Sequence, residues 1–463
     1  MNNLSRRKEL NISSRDRLCV AIAGLCHDLG HGPFSHMFDE FIRANYPTHL
    51  WMHEKRSILL FRRICQYPWV EEALLQFLDE EDFVFIEELI LPPKKFTEDG
   101  VWLCSGRSVD KSFLYDIISN TNDSLDVDKL DYLLRDSHQT TVAIPFNQES
   151  IHRLIKWMRP LPVETKIGPN KTVTFLRICY AQKVAQEVLS VGQSRWSLFR
   201  YVYCHPTAAV IQHLMEKAFT IASPFLQFEG DDGQMYSLSK VTENMGAFIR
   251  CDDSVLQMIE NSRDERLQRA RDIVKNIKFR FLPKLLGTIE LKPGESIDKE
   301  SLIEDIVQRV EEKQKRKTIV GHEIPFETEK CFLFLSAESH RGSGLTLNPL
   351  HLVHVYNHKA SNNQIVARPI DTDWIKSVSS EMGGSSIVNV YLTHEARCQN
   401  QEVAEILLEV LGEVADSSHF PLTLKVDRSS CPQLNSPVMK FSPRHQLQAD
   451  YKDIEKKIIV DMC

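Results

Sequence analysis

The stretch AGLCHDLGHGPFSH, residues 23–36, concentrates histidine and aspartate in a way that suits metal chemistry. It completes an apolar run that begins at Leu18 and predicts a helix buried on nearly all sides. The adjacent pair His27 and Asp28 ends that helix, and both groups are costly to bury without partners. A divalent cation would remove this cost, because imidazole nitrogen and carboxylate oxygen are good ligands for such ions. The pair therefore predicts a metal site.

Two glycines shape the segment that follows this pair. Gly30 and Gly32 allow a tight turn, so we expect His31 and His36 to return toward the same place. The pattern H-D-x-G-H after an apolar helix favours metal binding. The alternative is a helix end at which the histidines only cap backbone carbonyls.

A second group of candidate ligands lies in the segment SLDVDKLDY, residues 124–132. On a helix, Asp128, Tyr132 and Arg135 would share one face, since residues one or two turns apart are neighbours. An acidic cluster at a helix start is usually only a solvated cap that matches the helix dipole. Because one histidine–aspartate pair cannot complete a metal shell, this segment is the next candidate for further ligands.

The first part of the chain, residues 1–287, shows mainly helical patterns. Ser13 followed by Asp16 predicts a helix start, because both can satisfy free backbone amides. Further helical patterns cover residues 58–65, 70–77, 126–137, 151–158, 198–222 and 263–279. Pro68 separates the first two patterns, and Pro206 is expected to break the fifth, because a helix interior does not tolerate proline. Residues 171–179 partly alternate in polarity and predict a short strand or hairpin arm.

The composition changes near residues 285–304, where Gly287, Pro293 and Gly294 interrupt the helical pattern. Beyond this point, strands are predicted at 331–335, 351–356 and 387–392, and an amphipathic helix at 403–414. We therefore predict a mainly α fold, with an all-helical core at 1–287 and a smaller C-terminal α+β lobe at 288–427. Residues 428–463 are rich in Ser, Pro and Gln and predict a loosely ordered tail.

Charge and cysteine content limit the classes of partner. The formal net charge is −7, so no global basic field favours nucleic acid as the main partner. The basic run KQKRK at 313–317 could be a nuclear address or a nucleic-acid contact, but such runs are usually solvated loops. Eleven cysteines form no Cys-x-x-Cys pair, which is typical of a reduced intracellular protein without a zinc ribbon.

The hydropathy pattern gives no sign of a membrane partner. The first eleven residues are polar and basic, unlike a signal peptide, and no run reaches the roughly 18 apolar residues that a membrane span needs. We expect the protein in the nucleus and/or the cytoplasm.

Several motifs together resemble one enzyme family. They are HDLGHGPFSHMF at 27–38, WMHE at 51–54, SFLY at 112–115, DVDKLDY at 126–132, SRWSL at 194–198 and ARDIVK at 270–275. In these motifs the chain is similar to the animal sterile-alpha-motif and HD-domain proteins, which are deoxynucleoside triphosphate triphosphohydrolases. The similarity runs from about Arg15 into the second lobe and is looser after Gly287. No segment matches the sterile-alpha-motif domain.

The resemblance implies an HD-domain core with a divalent metal of the iron, zinc or magnesium type. The family splits the bond at the α-phosphate of a deoxynucleoside triphosphate (dNTP) and releases a deoxynucleoside and intact triphosphate. The implied metal ligands are His27, Asp28 and Asp128. The implied catalytic histidine–acid group is His31, Asp39 and His53. The implied phosphate contacts are Lys129, Tyr132 and Arg195. The implied sugar contacts are Asp136 and Tyr203, the latter excluding a 2′-hydroxyl.

The resemblance also implies regulation by nucleotides. The family forms a homotetramer assembled by GTP or dGTP together with dNTPs. The residues that match its regulatory site are Arg159, Lys183, His205, Arg271 and Lys275. Ala181, Pro206 and Thr393 stand where the family has basic residues. Because a charge-assisted contact is typically worth about 1.5–3 kcal/mol, we expect weaker activation.

One metal ligand of the family is not found in this sequence. The family has a further histidine in an R-F-x-H-S-L-G motif before the HD pair, and no such motif occurs here. A three-ligand site can hold metal, because catalytic sites leave positions open. We expect lower metal affinity and impaired activity of the chain.

Two other functions are compatible with the sequence. A noncatalytic regulatory subunit, which joins active relatives or binds single-stranded nucleic acid, is favoured by the changed regulatory cations. A weaker alternative is an HD phosphohydrolase that acts on cyclic nucleotides or nucleotide monophosphates. Arg195 and Tyr203 argue against it through the family resemblance.

Overall fold

The computed structural model describes residues 1–47, 51–169, 171–291, 299–319, 332–340, 347–361, 364–379, 384–393, 401–418 and 422–424. Met1–Thr423 forms one compact unit and Leu424–Cys463 a second. In these ranges no helix is both long and apolar enough to cross a membrane. The predicted tail at 428–463 lies outside the described residues, and the predicted domain boundary at residue 287 stays a prediction.

Helices dominate the described chain. In order they are α1 (Asn2–Ser5), α2 (Ser14–Cys26), α3 (His36–Asn45), α4 (His53–Cys65), α5 (Pro68–Leu75), α6 (Glu80–Ile90), α7 (Val127–Thr140), α8 (Gln148–Trp157), α9 (Ala185–Leu198), α10 (Pro206–Ala222), α11 (Met245–Ile249), α12 (Val255–Asn261), α13 (Gln268–Lys278), α14 (Lys299–Ile319), α15 (Thr372–Val378) and α16 (Gln401–Ser418). The strands are β1 (Met158–Gly168), β2 (Lys171–Ala181), β3 (Gln227–Glu229), β4 (Met235–Ser237), β5 (Lys284–Leu291), β6 (Phe332–His340), β7 (His354–Tyr356), β8 (Arg368–Pro369), β9 (Gly384–Leu392) and β10 (Leu422–Leu424). The mainly α class with small sheets is confirmed, but residues 1–287 are not all-helical as predicted, because β1 to β4 lie within them.

The start of α2 follows from its capping residues. The Ser13 hydroxyl accepts from the Asp16 amide at 3.0 Å, and the Asp16 carboxylate accepts from the Ser13 amide at 2.9 Å. This reciprocal pair satisfies two of the free amides of the first turn, and the predicted helix start is confirmed. The predicted burial of α2 on nearly all sides is wrong, because Ala21 is exposed and Leu25 is 82% exposed. These two residues lie one turn apart on a face that no described element covers.

Two hydrophobic cores flank the HD segment. The first includes Cys19 and Ala23 of α2 together with Phe85 of α6. The second includes Phe38 of α3 packed with Phe219 of α10. The HD segment connects α2 to α3, so it is anchored in one core at each end.

The hairpin of β1 and β2 forms one edge of the first sheet. The strands pair antiparallel over their whole length, with Met158 opposite Tyr180. The sheet order is β1-β2-β7-β8. The sequence predicted β2 but not β1, because Pro160 and Pro162 argue against a strand. An edge strand tolerates proline, since one side of its backbone needs no partner.

The second sheet places β9 between β5 and β6, antiparallel to both. Gly287 lies within β5, at an irregularity in the pairing of β5 with β9. The basic run at 313–317 lies on α14 and not in a loop, which corrects that prediction. The Lys313 ammonium lies 2.8 Å from the carboxylate of Glu409 and 2.6 Å from that of Glu413, both on α16. Pro206 begins α10, so the predicted helix break there is confirmed.

Candidate metal centre and active site

His27 follows the last residue of α2 and presents one ring nitrogen to two carboxylates. Its Nδ1 lies 2.9 Å from the Gly24 carbonyl oxygen, so that nitrogen carries the proton and donates. Its Nε2 lies 3.4 Å from Asp28 Oδ1 and 3.5 Å from Asp128 Oδ1. Among the described residues, this buried Nε2 has no hydrogen-bond partner. The His27 ring therefore caps the Gly24 carbonyl, as in the alternative interpretation of a capping histidine. Its Nε2 still faces the carboxylates of Asp28 and Asp128.

The electrostatics around His27 favour a positive charge. The Asp128 carboxylate, together with the charge of Asp28, raises the pKa of His27 to about 9, although burial acts in the opposite direction. An environment that stabilises a proton on Nε2 also stabilises a cation bound there. The donor atoms of His27, Asp28 and Asp128 lie within 4.8 Å of one another.

The turn after the HD pair is held by α4. The Gly30 amide donates to the Ser57 hydroxyl at 2.8 Å, and that hydroxyl donates to the His27 carbonyl at 2.5 Å. A Cβ at Gly30 would lie 2.0 Å from the His53 carbonyl oxygen, so only glycine fits there. This close approach brings His53 beside the metal-binding segment.

The site is open to solvent on its acidic side. The side chain of Asp28 is 56% exposed and that of Asp128 is 38% exposed. The expected burial of the HD pair is therefore wrong for the carboxylate, although His27 is largely covered. An open face of this kind leaves room for a substrate oxygen or water at a bound ion.

A second group of histidines surrounds Asp39, which is only 1% exposed. His36 Nδ1 and His53 Nδ1 lie 3.2 and 3.3 Å from Asp39 Oδ2. The Trp51 indole donates to Asp39 Oδ1 at 2.6 Å. The ring of His31 stacks on that of His53 with centroids 4.0 Å apart. The structure thus brings the three predicted catalytic residues together and adds two more.

The pKa values in this group follow from its contacts. Burial alone would raise the pKa of Asp39, but hydrogen bonds from His36, His53 and Trp51 hold it well below its usual range. Burial alone would lower the pKa of His53, but its bond to Asp39 and the charge of Glu54 together raise it. Burial and the neighbouring His53 lower the pKa of His31. The group combines a carboxyl group that stays ionised with imidazoles of different basicity. This combination suits proton transfer.

The N-terminal turn of α7 carries an acid that caps the helix and a separate acid that faces His27. Asp126 accepts from the Lys129 amide at 3.1 Å, so it is the helix cap that the conservative interpretation predicted. Its carboxylate also lies 3.1 Å from the Lys129 ammonium. Asp128 points instead toward His27.

The predicted substrate contacts line up where α7 meets α9 and the turn that follows. Arg195 Nη1 donates to the Tyr132 hydroxyl. The Tyr203 hydroxyl donates to Asp136 Oδ2 at 2.5 Å. The rings of Tyr132 and Tyr203 lie 6.4 Å apart. These contacts join Arg195 to Tyr132, Tyr132 to Tyr203, and Tyr203 to Asp136.

Comparison with curated proteins points to one group of relatives. The chain is 34% identical to deoxynucleoside triphosphate triphosphohydrolase SAMHD1 of Mus musculus over 395 residues, which are 83% of this chain and 58% of the mouse protein. It is 37% identical to the Homo sapiens protein of the same name over 286 residues, which are 61% of this chain and 44% of the human protein. The chain is thus similar to the SAMHD1 proteins over much of its length.

A more distant SAMHD1 homologue, from Dictyostelium discoideum, is 32% identical over 308 residues, or 65% of this chain and 50% of that protein. The chain thus spans about half the length of the SAMHD1 proteins that it matches. No protein-family model matches it.

The residues expected to bind regulatory nucleotides in this chain lie on several elements. Arg159 is on β1. Lys183 follows β2, and its ammonium lies 2.9 Å from the centroid of the Trp157 ring. His205 caps α10, accepting from the Thr207 amide at 3.1 Å.

The other two expected regulatory residues lie on α13. Arg271 is buried, and its Nη1 donates to the carbonyls of Ser262 and Asp264, each at 2.7 Å. Lys275 lies one turn further along the same helix and is exposed. Much of the hydrogen-bonding capacity of the Arg271 guanidinium is therefore used inside its own chain. Of the three departures, Ala181 ends β2, Pro206 begins α10 and Thr393 follows β9.

Sequence reasoning gave no catalytic role to three residues of the site. His36 was expected to return toward the HD pair, and the structure adds it to the Asp39 group. Trp51 belongs to the WMHE motif at 51–54, and its place in a motif of the family resemblance was a signal that its indole has a partner. Ser57 carried no local signal, because its bonds to His27 and Gly30 join positions that are distant in sequence.

Proposed function

We propose that this chain hydrolyses dNTPs to a deoxynucleoside and triphosphate. The observation that carries the proposal is the buried Nε2 of His27, which lacks a hydrogen-bond partner among the described residues and lies between Asp28 and Asp128. Beside it, α7 carries the residues expected to bind phosphate and sugar. The names of the SAMHD1 relatives support the same substrate class.

His27, Asp28 and Asp128 would hold a divalent metal of the iron, zinc or magnesium type. One imidazole and two carboxylates form a donor set that such ions accept, and Nε2 of His27 has no hydrogen-bond partner among the described residues. When bound, the ion polarises a phosphoryl oxygen and lowers the pKa of a water.

The Asp39 group would handle the proton. Asp39 would orient the ring of His53 by accepting from Nδ1 at 3.3 Å, while Nε2 of that ring lies 3.5 Å from the Glu54 carboxylate and would give or take the proton. His31, stacked on the same ring, lies between this group and Asp28, from which its Nε2 is 3.7 Å. In the proposed reaction this group would supply the proton to the leaving 5′-oxygen of the deoxynucleoside.

Substrate binding would use the row of residues on α7 and α9. Lys129, Tyr132 and Arg195 would contact the triphosphate with charge and hydrogen bonds. Tyr203 would pack under the sugar, held in place by its bond to Asp136. A tyrosine fixed in this way leaves no room for a 2′-hydroxyl, which favours deoxynucleotides.

The decisive experiment follows the products. Purified protein loaded with Mn²⁺ or Fe²⁺ is incubated with dGTP, and phosphorus NMR identifies what is released. We expect equal amounts of deoxyguanosine and triphosphate. Folded, metal-loaded protein that leaves all four dNTPs intact would contradict the proposal, and release of diphosphate with a monophosphate would indicate a different phosphohydrolase.

We further propose a homotetramer assembled by GTP or dGTP together with dNTPs, in the nucleus and/or the cytoplasm. The presence of Arg159, Lys183, Arg271 and Lys275 supports it, while Ala181, Pro206 and Thr393 weaken it. Light scattering after size-exclusion chromatography, with and without nucleotides, tests the assembly. A particle mass that stays at that of one 53.4 kDa chain under both conditions would count against it.

A further inference from the structure

The chain leaves α9 through an unusually wide turn. Residues Phe199–Tyr203 form this turn, in which the Cys204 amide donates to the Phe199 carbonyl, five residues back, at 2.7 Å. Such π-turns are rare and occur frequently at functional sites. This one places the Phe199 ring between Arg195, which is one helical turn earlier, and Tyr203 at its end.

The Phe199 ring contacts both neighbours in defined geometry. The Arg195 guanidinium carbon lies 4.3 Å from the ring centroid, so the cation sits over the aromatic face. The Tyr203 ring meets Phe199 edge-to-face, with centroids 5.0 Å apart and planes at 83°. Phe199 is therefore the link between the residue expected to bind phosphate and the residue expected to bind sugar.

The guanidinium of Arg195 still has hydrogen-bonding capacity to offer. One terminal nitrogen donates to the Tyr132 hydroxyl. Its Nε is buried, and the described part of the chain provides no acceptor for it. A buried donor without an acceptor is costly, and a phosphate oxygen would supply the acceptor.

We propose that Phe199 is a positioning residue that orients Arg195 for the triphosphate. An aromatic face attracts a guanidinium without occupying any of its N–H groups, whereas a carboxylate would neutralise it. The ring thus fixes the plane of the cation and leaves its donors for phosphate. The inference rests on the proposed function, in that it takes Arg195 to contact the phosphates.

The test replaces the ring by an aliphatic side chain. Calorimetry measures binding of inorganic triphosphate to the full, metal-loaded chain. Phe199→Leu should weaken binding about five- to tenfold, the size of a partly desolvated cation–π contact. Phe199→Tyr, which keeps an aromatic face, should restore it. In hydrolysis of dGTP, the Leu variant should raise KM by a similar factor and change kcat less.

A matched control removes the same kind of contact elsewhere. The Arg266 guanidinium carbon lies 4.6 Å from the centroid of Phe225, which is also half-buried. Phe225→Leu should leave triphosphate affinity unchanged. Equal losses in the two Leu variants would assign the effect to general loosening and overturn the proposal.

A double mutant shows whether Phe199 acts through Arg195. If it does, Phe199→Leu adds no further loss in an Arg195→Ala background. An independent loss there, wild-type affinity in Phe199→Leu, or no triphosphate binding by the wild type would each overturn the inference. Phe199-dependent binding without hydrolysis would instead remove the proposed activity and leave the inference standing.

Discussion

The two histidine groups of the site differ in how their polar atoms are satisfied. Around His27, two partly exposed carboxylates face one buried nitrogen that lacks a hydrogen-bond partner in the described chain. Around Asp39, one buried carboxylate accepts from His36, His53 and Trp51. The first group has an excess of negative charge and a buried nitrogen without a partner. In the second group the Asp39 carboxylate is satisfied by hydrogen bonds, although the buried Nδ1 of His31 also lacks a partner in the described chain.

This difference separates two chemical roles that the same residue types can play. A ring nitrogen between two carboxylates is suited to binding a cation, because the cation and the carboxylates lower each other's cost of burial. Imidazoles held by a satisfied carboxylate are suited to moving protons, because their orientation and basicity are fixed. Metal content and activity should therefore respond differently when each group is changed.

The largest effect is expected from Asp128→Ala. It removes one of two carboxylates facing His27, so bound metal should fall to near zero and dGTP hydrolysis should be lost. The loss should exceed the roughly 10–100-fold typical of changes one shell away from a metal. Elemental analysis of folded protein and product release are the measurements.

Asp131→Ala is the matched control for that variant. Asp131 lies on the same helix, but its side chain is 75% exposed and pairs only with Arg135, at 3.3 Å. Metal content and activity should stay at wild-type values. Loss of metal in Asp131→Ala would show that the site responds to any change on α7, and not specifically to removal of the Asp128 carboxylate.

Asp39→Asn should separate the two groups. It keeps the shape of the side chain but removes the charge that orients His36 and His53, so activity should fall about a hundredfold, within the range of general acid–base catalysis. Metal content should not change. Parallel loss of metal would mean that the two groups act as one and would break the comparison.

A smaller effect is expected from Trp51→Phe. The change deletes the 2.6 Å bond to Asp39, and a hydrogen bond to a charged group is worth about 1.5–3 kcal/mol. We expect the free energy of unfolding in urea to fall by about 2 kcal/mol. The control is Trp69→Phe on α5, where the indole is 74% exposed and little change is expected. Equal stability of the two variants would argue against a structural role of the indole bond.

The smallest effect concerns pH. The pKa of Asp39 is depressed, so its contribution to stability is present above the ordinary aspartate pKa of about 3.9 and is lost as the pH falls toward the folded-state value. The stability difference between wild type and Asp39→Asn should therefore be about 1 kcal/mol smaller at pH 3 than at pH 5. Urea unfolding at both pH values measures it. A difference that is constant or grows on acidification would contradict the depressed pKa.

His27 and Asp28 were identifiable as candidate ligands because a histidine–aspartate pair is unusual at the end of an apolar helix, and Asp128 was implied by the family resemblance. The structure brings these three side chains together, and their roles stay predictions. The contacts of Ser57 and Trp51 could not be predicted, because they depend on how α4 packs against the HD segment. Local patterns cannot supply such long-range contacts.

The errors in the fold have the same origin. The apolar neighbours of Leu25 in the sequence predict a core residue, yet the fold leaves Leu25 exposed. β1 contains two prolines that argue against a strand, and only its position at the edge of a sheet permits it. The run at 313–317 is as polar as a loop, but ion pairs with α16 stabilise it as a helix.

The spacing of residues along α7 has a consequence for how the protein can vary. Asp128, Tyr132 and Asp136 recur at every fourth residue of this one helix, so its turns set the relative heights of the three side chains. Adding a single residue within that interval would rotate everything beyond it by about 100° and raise it by about 1.5 Å. Surface loops of this protein can change in length with little penalty, whereas the spacing along these two turns cannot.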